Sequence, residues 1–309
     1  MSTGKKFPAK RLAVLLLLLA GFLLGFLLEN GYFDRWLPKE AQNGGVSESP
    51  AGDSSTRVHF IDTWQSDCVL IETKEKTVLI DAGDLNSSDE IGEYLKKAGV
   101  SKIDLFVATH PHSDHIGSGK NVIENYEVAA LLVPDIPEES FPTAATYENL
   151  LLAAEKRGTK LLFASPGEEF SLGDGAVLKV LGPVSDYGTD YNNWSVVTKL
   201  TVGEISFLFT GDMEAEAETD LLSAGADLSC TVLKVGHHGS SGSSTKAFLD
   251  GASPRYAVIL CGQGNDYGHP HREVLDALEN RGCSVFRTDQ KGNIVFETDG
   301  ESLAVQTDR

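Results

Sequence analysis

Cysteine is scarce and unpatterned in this chain. Its four residues, Cys68, Cys230, Cys261 and Cys283, stand far apart and never form a C-x-x-C pair. Such spacing demands no disulfide framework. Cys68, Cys230 and Cys261 each adjoin a Val/Leu/Ile-rich run, so buried free thiols are expected. Basic charge is also short: 26 Lys and Arg against 45 Asp and Glu leave a net charge of −19. That argues against a protein that grips nucleic acid through a broad basic face. It does not exclude a phosphodiester substrate, because a bound divalent cation can dominate the local field. No internal repeat is visible.

Long apolar runs are missing but for one, the uncharged stretch from Leu12 to Leu28. Lys5, Lys6, Lys10 and Arg11 precede it, and it ends in Phe-Leu-Leu-Glu-Asn with neither an A-x-A cleavage site nor a lipid-accepting cysteine. The reading is a cytoplasmic basic N-terminus at 1–11 and a single-pass membrane anchor at 12–28, with the remainder outside the cell membrane. The alternative is a cleaved signal peptide and a secreted protein. Residues 29–56 are expected to be a flexible linker, with the globular domain at 57–309.

Short apolar strand candidates fill that domain: 58–63, 68–72, 77–80, 105–108, 129–133, 160–163 and 177–181. After Ser195 come 195–202, 205–209, 230–235, 256–260, 283–286 and 294–297. Helical patterns lie near 87–98, 144–157, 213–223, 244–250 and 271–281. Early strands follow one another directly, then strand and helix alternate, and the same order recurs after Ser195. An α/β sandwich of two mixed sheets face to face, with helices outside, is expected.

Seven of the eight histidines fall in three groups, His110/His112/His115, His237/His238 and His269/His271. The first lies in A-T-H-P-H-S-D-H, after the strand-like L-F-V-A. Alternate residues of an extended segment share a face, so His110 and His112 can bind one cation. Asp114 and His115, one turn on, can serve a second cation. Imidazole and carboxylate suit Zn²⁺ or Mn²⁺. Asp212 in F-T-G-D and His237 after V-L-K-V-G project from other strand ends. His238 is expected to point the other way, either as a support behind the ligands or as a metal ligand itself.

The run H-x-H-x-D-H, then T-G-D, then G-H-H-G-S resembles the metallo-β-lactamase superfamily of binuclear metal hydrolases. V-H-F-I-D…D, L-I-D-A-G, N-N-x-S, G-D, H-H-G-S and G-H-P-H, in this order, resemble the hydrolase domain of ComEC-like competence proteins for DNA uptake. The resemblance covers about 57–307. It implies a four-layer αββα sandwich, with His110 and His112 on one metal, Asp114, His115 and His237 on a second, and Asp212 bridging. Many relatives have a further histidine before the bridging aspartate, but residues 116–236 of this chain contain none. The first position is then weak, completed by water or filled from Asn193, and Mn²⁺ is as plausible as Zn²⁺. Asp62, Gln65 and Asp67 survive in a segment that otherwise departs from the family. Asp62, Asp67 and Asp81 either brace the metal site or form ordinary polar turns.

The loop G-H-H-G-S-S-G-S-S-T-K offers Ser240, Ser241 and Lys246 as a phosphate cradle; alternatively, Ser243 or Ser244 merely caps the next helix. His269 contacts substrate or protonates a leaving group, while His271 is a first-turn helix residue. The leading expectation is a membrane-tethered hydrolase with one or two divalent ions, in which metal-activated water cleaves phosphodiesters, DNA above all. Asp114 and Asp212 would orient the metals and the water. With one span the chain is no complete uptake pore, so it works alone or beside a separate DNA channel. The rivals are a metallohydrolase of small esters, lactones or small phosphodiesters, which the acidic balance favours, and a metal-stabilised binding ectodomain without turnover.

Overall fold

A computed structural model describes residues 56–309. The expected anchor at 12–28 and the linker up to residue 55 lie outside the described residues. Thr56, the linker's expected last residue, already pairs in the first strand. Among the described residues no helix is long and apolar enough to cross a membrane.

The expected sandwich is present. β1 (Thr56–Phe60), β2 (Val69–Glu72) and β3 (Thr77–Ile80) form an antiparallel meander. The short strands β4 (Lys102–Ile103) and β6 (Glu127–Val128) make a separate parallel ribbon. Beside β3, β5 (Leu105–Val107), β7 (Ala130–Val133) and β8 (Lys160–Phe163) continue the first sheet in parallel. The second sheet begins with β9 (Glu169–Gly173), β10 (Ala176–Val180), β11 (Thr198–Val202) and β12 (Ile205–Phe209), all antiparallel. It ends in parallel β13 (Val232–Lys234), β14 (Tyr256–Ile259) and β15 (Ser284–Arg287). A last hairpin, β16 (Ile294–Thr298) and β17 (Leu303–Thr307), returns to the first sheet beside β1.

Period-two alternation fixes which layer each strand residue joins. Val58, Phe60, Val69, Ile71, Val78 and Ile80 point inward between the sheets, where they meet Leu200, Phe207, Phe209, Val258 and Phe296. Their alternates Leu70, Leu79, Phe106 and Leu131 face outward. They are covered by α1 (Ser88–Ala98), α3 (Gly119–Asn125) and α4 (Ala145–Arg157) through Ile91, Leu95, Ile123 and Leu150. The short α2 (Ser113–Ile116) precedes α3. On the second sheet, Leu208, Leu233, Ala257 and Ile259 pack beneath Leu221, Leu249 and Leu278 of α5 (Ala215–Ser223), α6 (Lys246–Ala252) and α7 (Arg272–Glu279). A single turn, α8 (Thr288–Lys291), links β15 to the final hairpin. Fully burying one such Phe or Leu side chain contributes about 1.5–3 kcal/mol. Three stacked apolar layers therefore hold the strands that carry the site. All four cysteines are buried free thiols.

Candidate metal centre

The chemistry collects where the parallel strands end, the usual place for a site in layered α/β proteins. Asp81 follows β3, His110 to His115 follow β5, Asp212 follows β12, and His238 follows β13.

Hydrogen bonds fix the tautomers. Asp81 accepts at Oδ1 from the Thr109 backbone N–H at 2.8 Å. Its Oδ2 accepts from the Thr109 hydroxyl at 2.7 Å and faces His115 Nδ1 at 2.7 Å. The Thr109 hydroxyl proton is thus committed to Asp81, so its oxygen accepts from His110 Nδ1, 3.1 Å away. His110 Nε2 is left with a free lone pair and lies 3.1 Å from His112 Nδ1. At that separation the two nitrogens would be able to share one ion.

A second convergence is richer. His115 carries its proton on Nδ1 toward Asp81, and His238 donates from Nδ1 to the Leu260 carbonyl at 2.9 Å. Their Nε2 atoms face Asp212 Oδ2 at 3.2 and 3.5 Å, and His238 Nε2 lies 3.3 Å from Asp114 Oδ2. Ligand atoms of Asp114, His115, Asp212 and His238 all lie within 4.8 Å of one another. Lone pairs of two imidazoles and two carboxylates aimed at one point repel unless a cation lies among them. His115 Nε2 and Asp212 Oδ1 are buried without a hydrogen bond. Two nitrogens and two carboxylates are the donor set of a borderline divalent ion such as Zn²⁺ or Mn²⁺.

Titration follows the same crowding. Burial opposes charge on His115, but Asp212, Asp81, Asp67 and Asp114 outweigh it and hold the imidazole well above its ordinary range. Burial and then Asp212 and Asp67 act likewise on His238, with a net upward shift. For Asp212, burial is overcome by His115 and His238, and the carboxyl stays well below its usual range. His110, pressed by burial and the charge on His115, is pushed well down and is neutral. Without metal, protons on His115 and His238 do the cation's work.

Several expectations are corrected. His238, not His237, joins the four-residue group. Residues 236–239 form a tight turn in which His237 (φ 48°) and His238 (φ 51°) are both left-handed, so the alternation of an extended strand does not apply. His237 Nε2 sits 3.8 Å from Asp212 Oδ2, and its Nδ1 lies 3.0 Å from Glu214 Oε1. The Asn193 side-chain oxygen is turned to the backbone N–H groups of Glu214 and Ala217, at 2.9 and 3.4 Å, and caps α5. Asp62 is drawn away to Arg309 at 3.1 Å. Lys246 pairs with Asp250 on its own helix, its side chain 83% exposed. Ser240 accepts from the Gly242 N–H, and Ser241 N–H donates to His271 Nδ1. Neither serine lines the cavity described below, and Thr245 rather than Ser243 or Ser244 caps α6.

Asp67 and Asp81 stand behind the centre, 3.8 and 2.7 Å from His115 Nδ1. Asp67 is ion-paired with Lys234 and lies 3.4 Å from His238 Nδ1. Sequence reasoning missed Lys234 altogether. This buried lysine also donates to the Gly211 carbonyl at 2.9 Å and lies 3.7 Å from Asp212 Oδ1. Gly211 itself, at φ 51°, leaves no room for a side chain: a Cβ would meet Ser195 Oγ at 2.7 Å. Ser195 in turn accepts from the Asp212 N–H at 2.9 Å, which aims the carboxylate. Glu214 and Asn192 were missed too; the adjacent Asn-Asn and Asp-x-Glu pairs were their only signal.

The centre forms the wall of an open cavity of about 290 Å³, lined by Gln65, His112, Asn192, His237, Tyr267 and His269 among others. Asp114 also borders an adjoining hollow of about 430 Å³ with Trp64 and Tyr267. His269 thus reaches the cavity as expected. However, burial and the neighbouring His237, His238 and His271 push it down to about 4. It is neutral at neutral pH and ill suited to donating a proton.

Comparison with known proteins agrees with this architecture. The chain is 31% identical over 265 residues to ComE operon protein 3 of Bacillus subtilis (strain 168), covering 80% of this chain and 34% of that protein. It is 31% identical over 259 residues to Competence protein ComA of Neisseria gonorrhoeae, covering 82% and 34%. It therefore spans about a third of the length of these curated relatives. Among solved structures, the metallo-beta-lactamase fold protein YhfI from Bacillus subtilis superposes with a TM-score of 0.54 at 13% identity, covering 80% of this chain and 100% of that one. CmlA, a diiron beta-hydroxylase from Streptomyces venezuelae, gives 0.52 at 16% identity, covering 80% and 57%. At such identities the likeness carries the fold alone. The pattern of the Metallo-beta-lactamase superfamily matches residues 61–263, which span both sheets and all four converging ligands. The chain belongs to the metallo-beta-lactamase superfamily, as a metal-dependent hydrolase homologous to competence proteins.

Proposed function

We propose that this chain is an outward-facing, membrane-anchored nuclease that hydrolyses DNA phosphodiesters in the service of DNA uptake. The observation that carries the reading is the meeting of Asp114, His115, Asp212 and His238 at the wall of a solvent-open cavity flanked by aromatic side chains. Tyr267 is 70% exposed and stacks on His269 with ring centroids 5.6 Å apart, and Trp64 is 58% exposed. Exposed rings beside a metal centre suit a substrate that carries bases, because stacking is indifferent to their sequence. The competence relatives support the uptake context, and the apolar stretch at 12–28 supplies the anchor. A separate membrane channel is the partner in this arrangement.

Asp114, His115, Asp212 and His238 would hold a divalent ion, which when bound would supply Lewis acidity and lower the pKa of water. The remaining work belongs to the chain. Asp81 holds His115 in its ligand tautomer, and the Leu260 carbonyl does the same for His238. Lys234 anchors Asp67 beneath the site and limits the buried negative charge. Gln65, whose side-chain oxygen accepts from the Gly262 N–H at 2.9 Å, fixes the loop that presents His269 and Tyr267. His269, kept neutral, hydrogen-bonds substrate without adding charge.

The net charge of −19 favours one rival, hydrolysis of small esters. The deciding experiment is cleavage of plasmid and single-stranded DNA by metal-stripped protein re-supplied with Mn²⁺ or Zn²⁺, beside Asp114→Ala. Metal-dependent cleavage lost in the variant supports the nuclease. Folded, metal-loaded protein that leaves DNA intact and turns over small esters refutes it.

A further inference from the structure

The His110/His112 pair is short of a protein ligand. Among the described residues, neither group of three or more metal-capable His, Cys, Asp or Glu side chains includes His110 or His112. The side chains nearest in sequence to the missing histidine are already engaged. Asn193 caps α5, and Ser195 Oγ accepts from the Asp212 N–H.

Asn192 is not engaged in this way. Its Nδ2 donates to Glu214 Oε1 at 3.0 Å. A carboxylate only accepts, so this contact fixes which end of the amide is which. The side-chain oxygen is left on the other end, buried and without any hydrogen-bond partner. Asn192 lines the same cavity as His112 and Asp212. The preceding Tyr191 packs edge-on against the His112 ring with centroids 6.1 Å apart, which sets this segment beside the histidine pair. A buried acceptor without a donor is unfavourable. A cation removes that cost.

We propose that Asn192 completes the His110/His112 metal position through its side-chain oxygen, positioned by Glu214. The centre then holds two unequal ions. One position has two imidazoles and two carboxylates. The other has two imidazoles and one neutral oxygen, an uncharged set with one ligand fewer that binds a divalent ion more weakly. The assignment rests on the hydrolase reading only in so far as both need metal at this centre.

The test is equilibrium binding of Mn²⁺ to the full, detergent-solubilised, metal-free chain, with free Mn²⁺ followed by electron paramagnetic resonance. Wild type is expected to bind two equivalents in two steps. Asn192→Leu should keep the first step and lose the second. Asn192→Asp should move the second step to lower Mn²⁺ concentration. Thermal melts of the metal-free variants establish that each is folded, and Asn192→Asp decides the matter if Asn192→Leu is not. A single Mn²⁺ equivalent in wild type, or two unchanged steps in the folded variants, overturns the assignment. Two ions bound without any phosphodiester cleavage would sink the nuclease and leave the Asn192 assignment standing.

Discussion

Asp81 never reaches the metal position, yet its replacement by Asn should weaken metal binding as much as loss of a contact at the centre. Its Oδ2 receives two donors, the Thr109 hydroxyl and His115 Nδ1, and its Oδ1 receives a third, the Thr109 N–H. An asparagine has one oxygen for these three donors. If that oxygen takes the Oδ1 place, the amide NH₂ faces His115 Nδ1, which must then accept and carry its proton on Nε2. If it takes the Oδ2 place, the NH₂ is driven against the Thr109 N–H. The first arrangement is the milder, and it removes the lone pair that His115 aims at Asp212. Partners that orient a metal ligand are worth about 10–100-fold in affinity, or roughly 1.4–2.8 kcal/mol. Burial already holds the Asp81 carboxyl above its ordinary range despite His115, so a neutral residue is tolerated there. The deficit should therefore appear in calorimetric titration with Zn²⁺ or Mn²⁺, and much less in melting of the metal-free protein. Wild-type affinity in a folded Asp81→Asn protein would refute the tautomer reasoning.

Lys234→Met should destabilise the metal-free fold by about 3–5 kcal/mol, because it strands the buried Asp67 carboxylate; adding Asp67→Asn should recover much of that loss in urea unfolding. Gly117→Ala should cost at least about 1–3 kcal/mol, since the new Cβ would lie 2.3 Å from the Leu85 backbone nitrogen, and thermal denaturation reads it. For His269, NMR titration of the metal-free protein should give a midpoint near 4 against an unfolded value near 6.5. A depressed folded value means that its contribution to stability is present above pH 6.5 and lost as pH falls toward about 4. An imidazole that titrates near 6.5 in the folded protein contradicts the packing around it.

The H-x-H-x-D-H run was legible because its spacing is local: it occupies the residues directly after a strand, whose direction the sequence gives away. Strands with apolar cores were equally visible. β9 and β17 were not, since EFSLG and LAVQT are edge strands that fully bury only one side chain each. The His237/His238 choice failed for a backbone reason. Both residues adopt left-handed conformations, and only the turn, not the residue type, decides which imidazole enters the centre. The Asn192/Asn193 choice is similar: one amide caps a helix and the next faces the cavity, a difference set by where α5 begins. Lys234 was hidden in a strand run that reads as core, because its charge is cancelled by Asp67, 167 residues earlier (234 − 67 = 167).

The ligands come from both halves of the chain: Asp114 and His115 follow the first sheet, while Asp212 and His238 follow the second. A bound ion is therefore a rivet across the seam between the sheets, closing a loop of about 98 residues between Asp114 and Asp212 (212 − 114 = 98). Chelation removes the rivet and leaves a cluster of buried carboxylates at that seam. Loosening should then begin at the strand ends that carry the chemistry, while the three apolar layers stay closed. Availability of metal outside the chain would in this way set how long the molecule survives as well as how fast it works.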